Sequence, residues 1–144
     1  MKNTINKYFE VKVKLQKTME DGQPKKVSEQ YVVEAATFGE AERRIAESLK
    51  PYIEGEFEVT DIKIAGYGQI INDNQDADKF FKAKVSFVTL DETTGKEKKT
   101  SELYLVQSDT LESAESDVKS FLNDNNTTIS SISETAILDV FPLD

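Results

Sequence analysis

Lys25-Lys26-Val27-Ser28-Glu29-Gln30-Tyr31-Val32-Val33 reads KKVSEQYVV, and Lys98-Lys99-Thr100-Ser101-Glu102-Leu103-Tyr104-Leu105-Val106 reads KKTSELYLV, 73 residues further on. Self-similarity at this spacing decides the architecture before any local pattern does. The match extends outward. Phe9-Glu10-Val11-Lys12-Val13-Lys14-Leu15 aligns with Phe81-Lys82-Ala83-Lys84-Val85-Ser86-Phe87 at an offset of 72. Thr37, Phe38, Ala41, Glu42, Ile45 and Leu49 align with Thr110, Leu111, Ala114, Glu115, Val118 and Leu122 at 73. Val59, Ile62, Ile70 and Ile71 align with Ile129, Ile132, Val140 and Phe141 at 70. The offset changes where turns are expected, and loops are where insertions are tolerated.

Within each copy the local patterns are distinct. Phe9, Val11, Val13 and Leu15 alternate with Glu10, Lys12 and Lys14, the period of a half-buried strand. Asp21-Gly22 and Thr94-Gly95 then mark turns, and residues 27–34 and 100–107 are return strands. Thr37 with Glu40 forms a capping box opening a helix to about Leu49, with Phe38, Ala41, Ile45 and Leu49 on its inner face. Thr110 opens the second, with Leu111, Ala114, Val118 and Leu122 facing inward and a polar breaker, Asn123-Asp124-Asn125-Asn126, after it. An extended segment closes each copy, at about 56–71 and 128–141. The prediction is an α+β fold of tandem duplicated β-β-α-β units, mainly antiparallel, with two helices on one face and six strands in all. Residues 1–71 form the first unit, 72–79 a connector and 80–144 the second. Each unit alone is marginal in size, so one compact pseudo-symmetric domain is expected.

Composition removes many chemistries. The 144 residues include no Cys, His or Trp. Disulfides, thiolate zinc sites, His metal sites and Ser-His-Asp or Cys-His nucleophile systems are therefore excluded. A general base near neutral pH would have to be a strongly shifted carboxylate or lysine. No apolar run reaches membrane-spanning length, and the N-terminal residues lack the apolar core of a secretory signal. A cytoplasmic location without membrane contact is the expectation. The net charge of −9 is uneven. Residues 72–144 hold 7 basic and 15 acidic side chains, whereas residues 7–26 and 79–99 each hold six lysines against three acids. Each copy opens on a basic segment in an otherwise acidic chain.

Four stretches are similar to a known family: Phe9-Glu10-Val11-Lys12-Val13, Lys25-Lys26-Val27-Ser28-Glu29, Gly55-Glu56-Phe57-Glu58-Val59-Thr60-Asp61-Ile62-Lys63 and Glu134-Thr135-Ala136-Ile137-Leu138-Asp139-Val140-Phe141. Together they resemble domain of unknown function 4494, a family of Bacteroidota and of their phages and mobile elements. The resemblance covers nearly the whole chain and implies a small cytosolic protein of bacterial or phage origin. It carries no activity to transfer.

Five features invite a functional reading. The first is an aromatic residue with lysines on each sheet face opposite the helix: Tyr8, Lys12 and Lys14, and in the second copy Phe80, Lys82 and Lys84. Lys25, Lys26, Lys98 and Lys99 near the hairpin turns would extend these faces. Lysines for phosphates and rings for bases suit single-stranded nucleic acid. The competing reading is that strand lysines keep sheets soluble, and a net charge of −9 opposes polyanions. Second, Asn72, Asn74, Asp76 and Asp78 are spaced like calcium-loop ligands, but Ala77 and Ala83 occupy the places of the required Gly and Glu, which favours a solvated linker. Third, Ser28-Glu29 and Ser101-Glu102 lack any activating base, so the glutamates are expected to pair with lysines across the hairpin. Fourth, Gly66-Tyr67-Gly68 lacks the third glycine and the helix start of a phosphate loop and reads as a bulge or a turn at a strand end. Fifth, Glu112, Glu115, Asp117, Asp124 and the connector at 72–79 form an acidic excess that would suit a DNA mimic, or simply a solubilising surface. With no metal or cofactor motif, the expectation is a non-enzymatic binding or assembly protein acting through protein–protein contacts, including self-association as a homodimer. Single-stranded nucleic-acid binding is the alternative, and an acidic DNA-mimic inhibitor the third reading.

Overall fold

The computed structural model describes residues 6–123 and 127–143. Ten elements follow one another: β1 (Lys7–Thr18), β2 (Pro24–Ala35), α1 (Phe38–Leu49), β3 (Phe57–Ala65), β4 (Tyr67–Ile71), β5 (Lys79–Leu90), β6 (Glu97–Ser108), α2 (Leu111–Leu122), β7 (Thr127–Glu134) and β8 (Ile137–Phe141). They form two four-stranded sheets, ordered β3-β1-β2-β8 and β4-β6-β5-β7. Eight strands therefore replace the six expected, because each closing segment breaks in two. Gly66 separates β3 from β4, and Thr135-Ala136 separates β7 from β8.

The break redirects the chain. β4 follows β3 in sequence but pairs parallel with β6 in the second sheet. β8 follows β7 but pairs parallel with β2 in the first. The compact units are accordingly residues 1–65 with 136–144, and residues 66–135. The division at 71 and 80 read from the sequence differs from this, since residues 66–79 all lie in the second unit. What local pattern read as a connector is held inside that unit: Gln107 Nε2 donates to Ala77 O at 2.8 Å and to Gln75 O at 3.4 Å.

In the first unit, β1 and β2 form a twelve-pair antiparallel hairpin closed through Gly22, whose φ of +82° favours glycine. β3 pairs with the other edge of β1, with a register shift between Lys12 and Val13 that leaves Thr60 as the extra residue. Phe9, Val11, Val13, Leu15, Tyr31 and Val33 point to one face, where Ala41, Ile45 and Leu49 of α1 cover them. Thr37 Oγ1 accepts the Glu40 N–H at 3.1 Å, the predicted cap, worth about 1 kcal/mol. Burial of Ile45 and Leu49 contributes about 1.5–3 kcal/mol each. Phe38 departs from its expected place. It is half-exposed and reaches only the edge of the Phe9 ring, 5.0 Å between centroids.

The second unit follows the same plan. β5 and β6 pair over twelve positions, and β7 lies beside β5 with Ser130 as the extra residue. Phe81, Ala83, Val85, Tyr104, Val106, Ala114, Val118 and Ile71 form its core. Thr110 Oγ1 accepts the Ser113 N–H at 3.0 Å, and Asn123 ends α2 in the left-handed conformation. Leu111, expected inside, is half-exposed. Asp124, Asn125 and Asn126 of the expected breaker lie outside the described residues.

Candidate binding surfaces

Side chains alternate across a strand, so the register fixes which lysines share a face. On the first sheet, Tyr8, Lys12, Lys14 and Lys26 project away from α1, opposite Glu34, Gln30, Ser28 and Gln16 respectively. Lys25 pairs with Lys17 and projects to the helix side. On the second sheet, Phe80, Lys82, Lys84 and Lys99 share the face away from α2, while Lys98 projects to the other side. Each consecutive lysine pair is thus split, and only Lys26 and Lys99 extend the predicted surfaces.

The two faces also differ in charge. Lys12 stands opposite Asp61 on β3, and Lys14 opposite Glu58. Lys14 and Lys26 line one cleft with Glu56 and Glu58. Lys63 pairs with Glu10 on the same sheet at 3.5 Å. The first face is therefore a mixed lattice of charges. On the second, Lys82 stands between Leu105 and Ser133, and Lys84 between Leu103 and Ser131, with no carboxylate in register. The aromatic residues do not accompany these lysines as open platforms. Phe80 is 1% exposed, and Tyr8 is half-buried, its phenol pushed up by burial and by the Glu34 carboxylate. Val32 and Leu105, in the middle of the same faces, are fully buried. A base cannot stack on a ring that solvent does not reach, so Phe80 offers no stacking platform, and the second face presents exposed lysines around a buried apolar centre.

Glu29 takes the predicted lysine partner. Lys17 Nζ lies 2.5 Å from Glu29 Oε2, and Tyr31 Oη donates to Glu29 Oε1 at 2.9 Å. The group borders a cleft with Leu15, Tyr52, Ile53, Glu54 and Leu138. Burial, followed by the hydrogen bond to Glu29, pushes the Tyr31 phenol far up. A raised folded-state pKa contributes stability that is intact below the unfolded value, near 10, and is lost as pH climbs beyond it. Tyr31→Phe should therefore flatten the alkaline decline in stability above about pH 10, measured by urea midpoints across pH. An unchanged slope would remove Tyr31 as its source. Glu102 behaves differently, because β4 leaves room for it. A Cβ at Gly68 would run into the Glu102 carboxylate. Gly68 is also the extra residue of the predicted bulge, between Tyr67 and Gln69.

The acidic excess is partly internal to α2: Glu115 pairs with Lys119 at 2.8 Å, Asp117 is half-buried and Glu112 is exposed. Asp124 lies outside the described residues. Among the described residues no group of three or more carboxylates is placed to hold a metal ion. No helix among them is long and apolar enough to cross a membrane.

One site was missed by sequence reasoning. β8 lies in a slot along the edge of β2, with Val140 opposite Val32 and Phe141 opposite Val33. The Phe141 ring stacks on Tyr31 at 5.8 Å. Arg44 Nη2, from α1, donates to Pro142 O at 3.1 Å and Phe141 O at 3.4 Å. Leu143 N donates to Glu34 Oε1 at 2.9 Å. A strand distant in sequence is thus held by main-chain pairing, one aromatic stack and two charged side chains at its end.

The model of the family described as domain of unknown function (DUF4494) matches residues 7–143. The chain belongs to this family. No curated protein and no solved structure matches it. Membership in DUF4494 spans both sheets and both helices, so the exchanged strands β4 and β8 lie inside the matched region.

Proposed function

We propose that this DUF4494 protein is a non-enzymatic binding or assembly protein, cytoplasmic and of phage or mobile-element origin, that works through protein–protein contacts. The carrying observation is that each sheet is completed by a parallel strand from a remote part of the chain, β8 beside β2 and β4 beside β6. Strand addition at a sheet edge, in which main-chain hydrogen bonds give affinity and alternate side chains give specificity, is thus a contact that this fold already uses. A tagged pull-down from host lysate, divided into nuclease-treated and untreated halves, tests the reading. A stoichiometric protein band surviving nuclease, or recovery of tagged and untagged copies of the chain together, is the expected result. A monomer that captures neither overturns it.

The second reading is single-stranded nucleic-acid binding, and one observation favours it: Lys82 and Lys84 are exposed and lie among Ser131, Ser133, Leu103 and Leu105. Lys12 and Lys14 have acidic neighbours instead, so the two lysine pairs should differ. At low salt, Lys82→Glu with Lys84→Glu should weaken oligonucleotide binding at least tenfold, while Lys12→Glu with Lys14→Glu should change it about twofold or less. Fluorescence anisotropy against a salt series reads both. Absence of binding by the parent chain at low salt ends this reading.

A further inference from the structure

We infer that the slot along β2 accepts the β8 strand of a second copy of this chain, so that copies assemble by strand exchange. The inference rests on the assembly reading above and names its partner and contact.

Four observations carry it. First, β8 belongs to a unit from which it is separated by the whole of residues 66–135. The slot therefore already receives a strand that is remote in sequence. Second, only two residues, Thr135 and Ala136, join β7 to β8. Thr135 is fastened to the second unit through N and Oγ1, each 2.8 Å from Phe80 O. A short, anchored hinge is the arrangement that favours exchange between copies. Third, the contacts that hold β8 are self-contained: the pairing with residues 30–33, the Tyr31–Phe141 stack, and the Arg44 and Glu34 bonds. A β8 from another copy makes all of them unchanged, so exchange sacrifices no contact within the slot. Fourth, the closed slot leaves Arg44 Nε buried without a partner among the described residues. An unsatisfied buried donor weakens the hold on whichever β8 fills the slot, which eases release of the chain's own strand. β4 is equally remote in sequence from its sheet, but it is tethered at both ends, to β3 and to β5. β8 is the strand whose far end is held by side chains of the receiving unit, Arg44 and Glu34, so it is taken as the exchangeable element.

The chain contains no cysteine, which makes disulfide trapping clean. Val32 and Val140 are paired positions on adjacent strands. A full-length chain carrying both Val32→Cys and Val140→Cys first tests the pairing itself. When dilute, it should close an internal disulfide on mild oxidation. Val32→Cys and Val140→Cys chains are then mixed at high concentration, incubated near the unfolding midpoint, returned to native conditions and oxidised. The mixture should yield a Val32–Val140 interchain product, identified by peptide mass, at least fivefold above either variant alone. Adding Arg44→Ala to both chains should raise the rate of exchange severalfold, since it loosens the slot's hold on either strand alike. Internal closure of the double variant without interchain product overturns strand exchange. Failure of internal closure overturns it as well, because β8 would then not occupy the slot. A nuclease-resistant foreign protein in the pull-down with no interchain product removes strand exchange but leaves the binding reading standing.

Discussion

Phe9→Ala is expected to destabilise the chain by about 3–5 kcal/mol. Phe9 is 1% exposed and sits at the centre of the first core, among Val11, Val33 and Ile45. Removing its ring forfeits the transfer energy of a full aromatic side chain and leaves a cavity that β1, paired on both sides, cannot collapse to fill. The ring also meets Phe38 edge-on, a contact worth a further ~1 kcal/mol. Phe81, in the equivalent place on β5, is as well buried but meets no aromatic ring among the described residues. Phe81→Ala should therefore cost somewhat less. Urea unfolding followed by far-ultraviolet circular dichroism gives both values. A loss below about 1 kcal/mol at Phe9 would mean that its burial is not realised in solution.

Leu105→Glu should abolish folding, while Lys82→Glu, its cross-strand partner on the same face, should shift stability by about 0.5 kcal/mol or less. The contrast comes from burial alone. Leu105 is fully buried on the sheet face away from α2, whereas Lys82 on the neighbouring strand is exposed. An unpaired carboxylate at the first position costs several kcal/mol, comparable with the whole stability of a small domain. At the second, a charge is exchanged for another in water. Circular dichroism and thermal midpoints separate the outcomes. If Leu105→Glu folds with a midpoint within a few degrees of the parent, the centre of this face is open and a stacking platform becomes available again.

The elements were legible because they are set by near neighbours. Thr37 and Thr110 announce their helices through one side-chain oxygen each, and the spacing of Ala41, Ile45 and Leu49 follows from the helical turn. The alternation of Phe9, Val11, Val13 and Leu15 specifies which side of β1 is apolar. What local pattern does not contain is the identity of a strand's neighbour. Ile137–Phe141 looks extended wherever it pairs, and its place beside β2 is decided by Tyr31, Arg44 and Glu34, about 100 residues earlier. The aromatic platform of the second sheet failed for a related reason. Alternation places Phe80 with Lys82 and Lys84, but it does not say whether that face is covered, and Phe80 is buried. The splitting of Lys25 from Lys26, by contrast, follows from the period of two and was readable without coordinates.

The order in which the strands are joined also has a consequence for synthesis. Residues 66–135 are contiguous, so the second sheet has all four of its strands once β7 has left the ribosome. The first sheet, begun earlier, lacks its fourth strand until β8 is made. At about 5–20 residues per second, roughly 4–14 s separate translation of residue 65 from that of residue 136. The sheet begun first is thereby completed last, and the edge of β2 stays open through that interval beside any nascent chain on the same message.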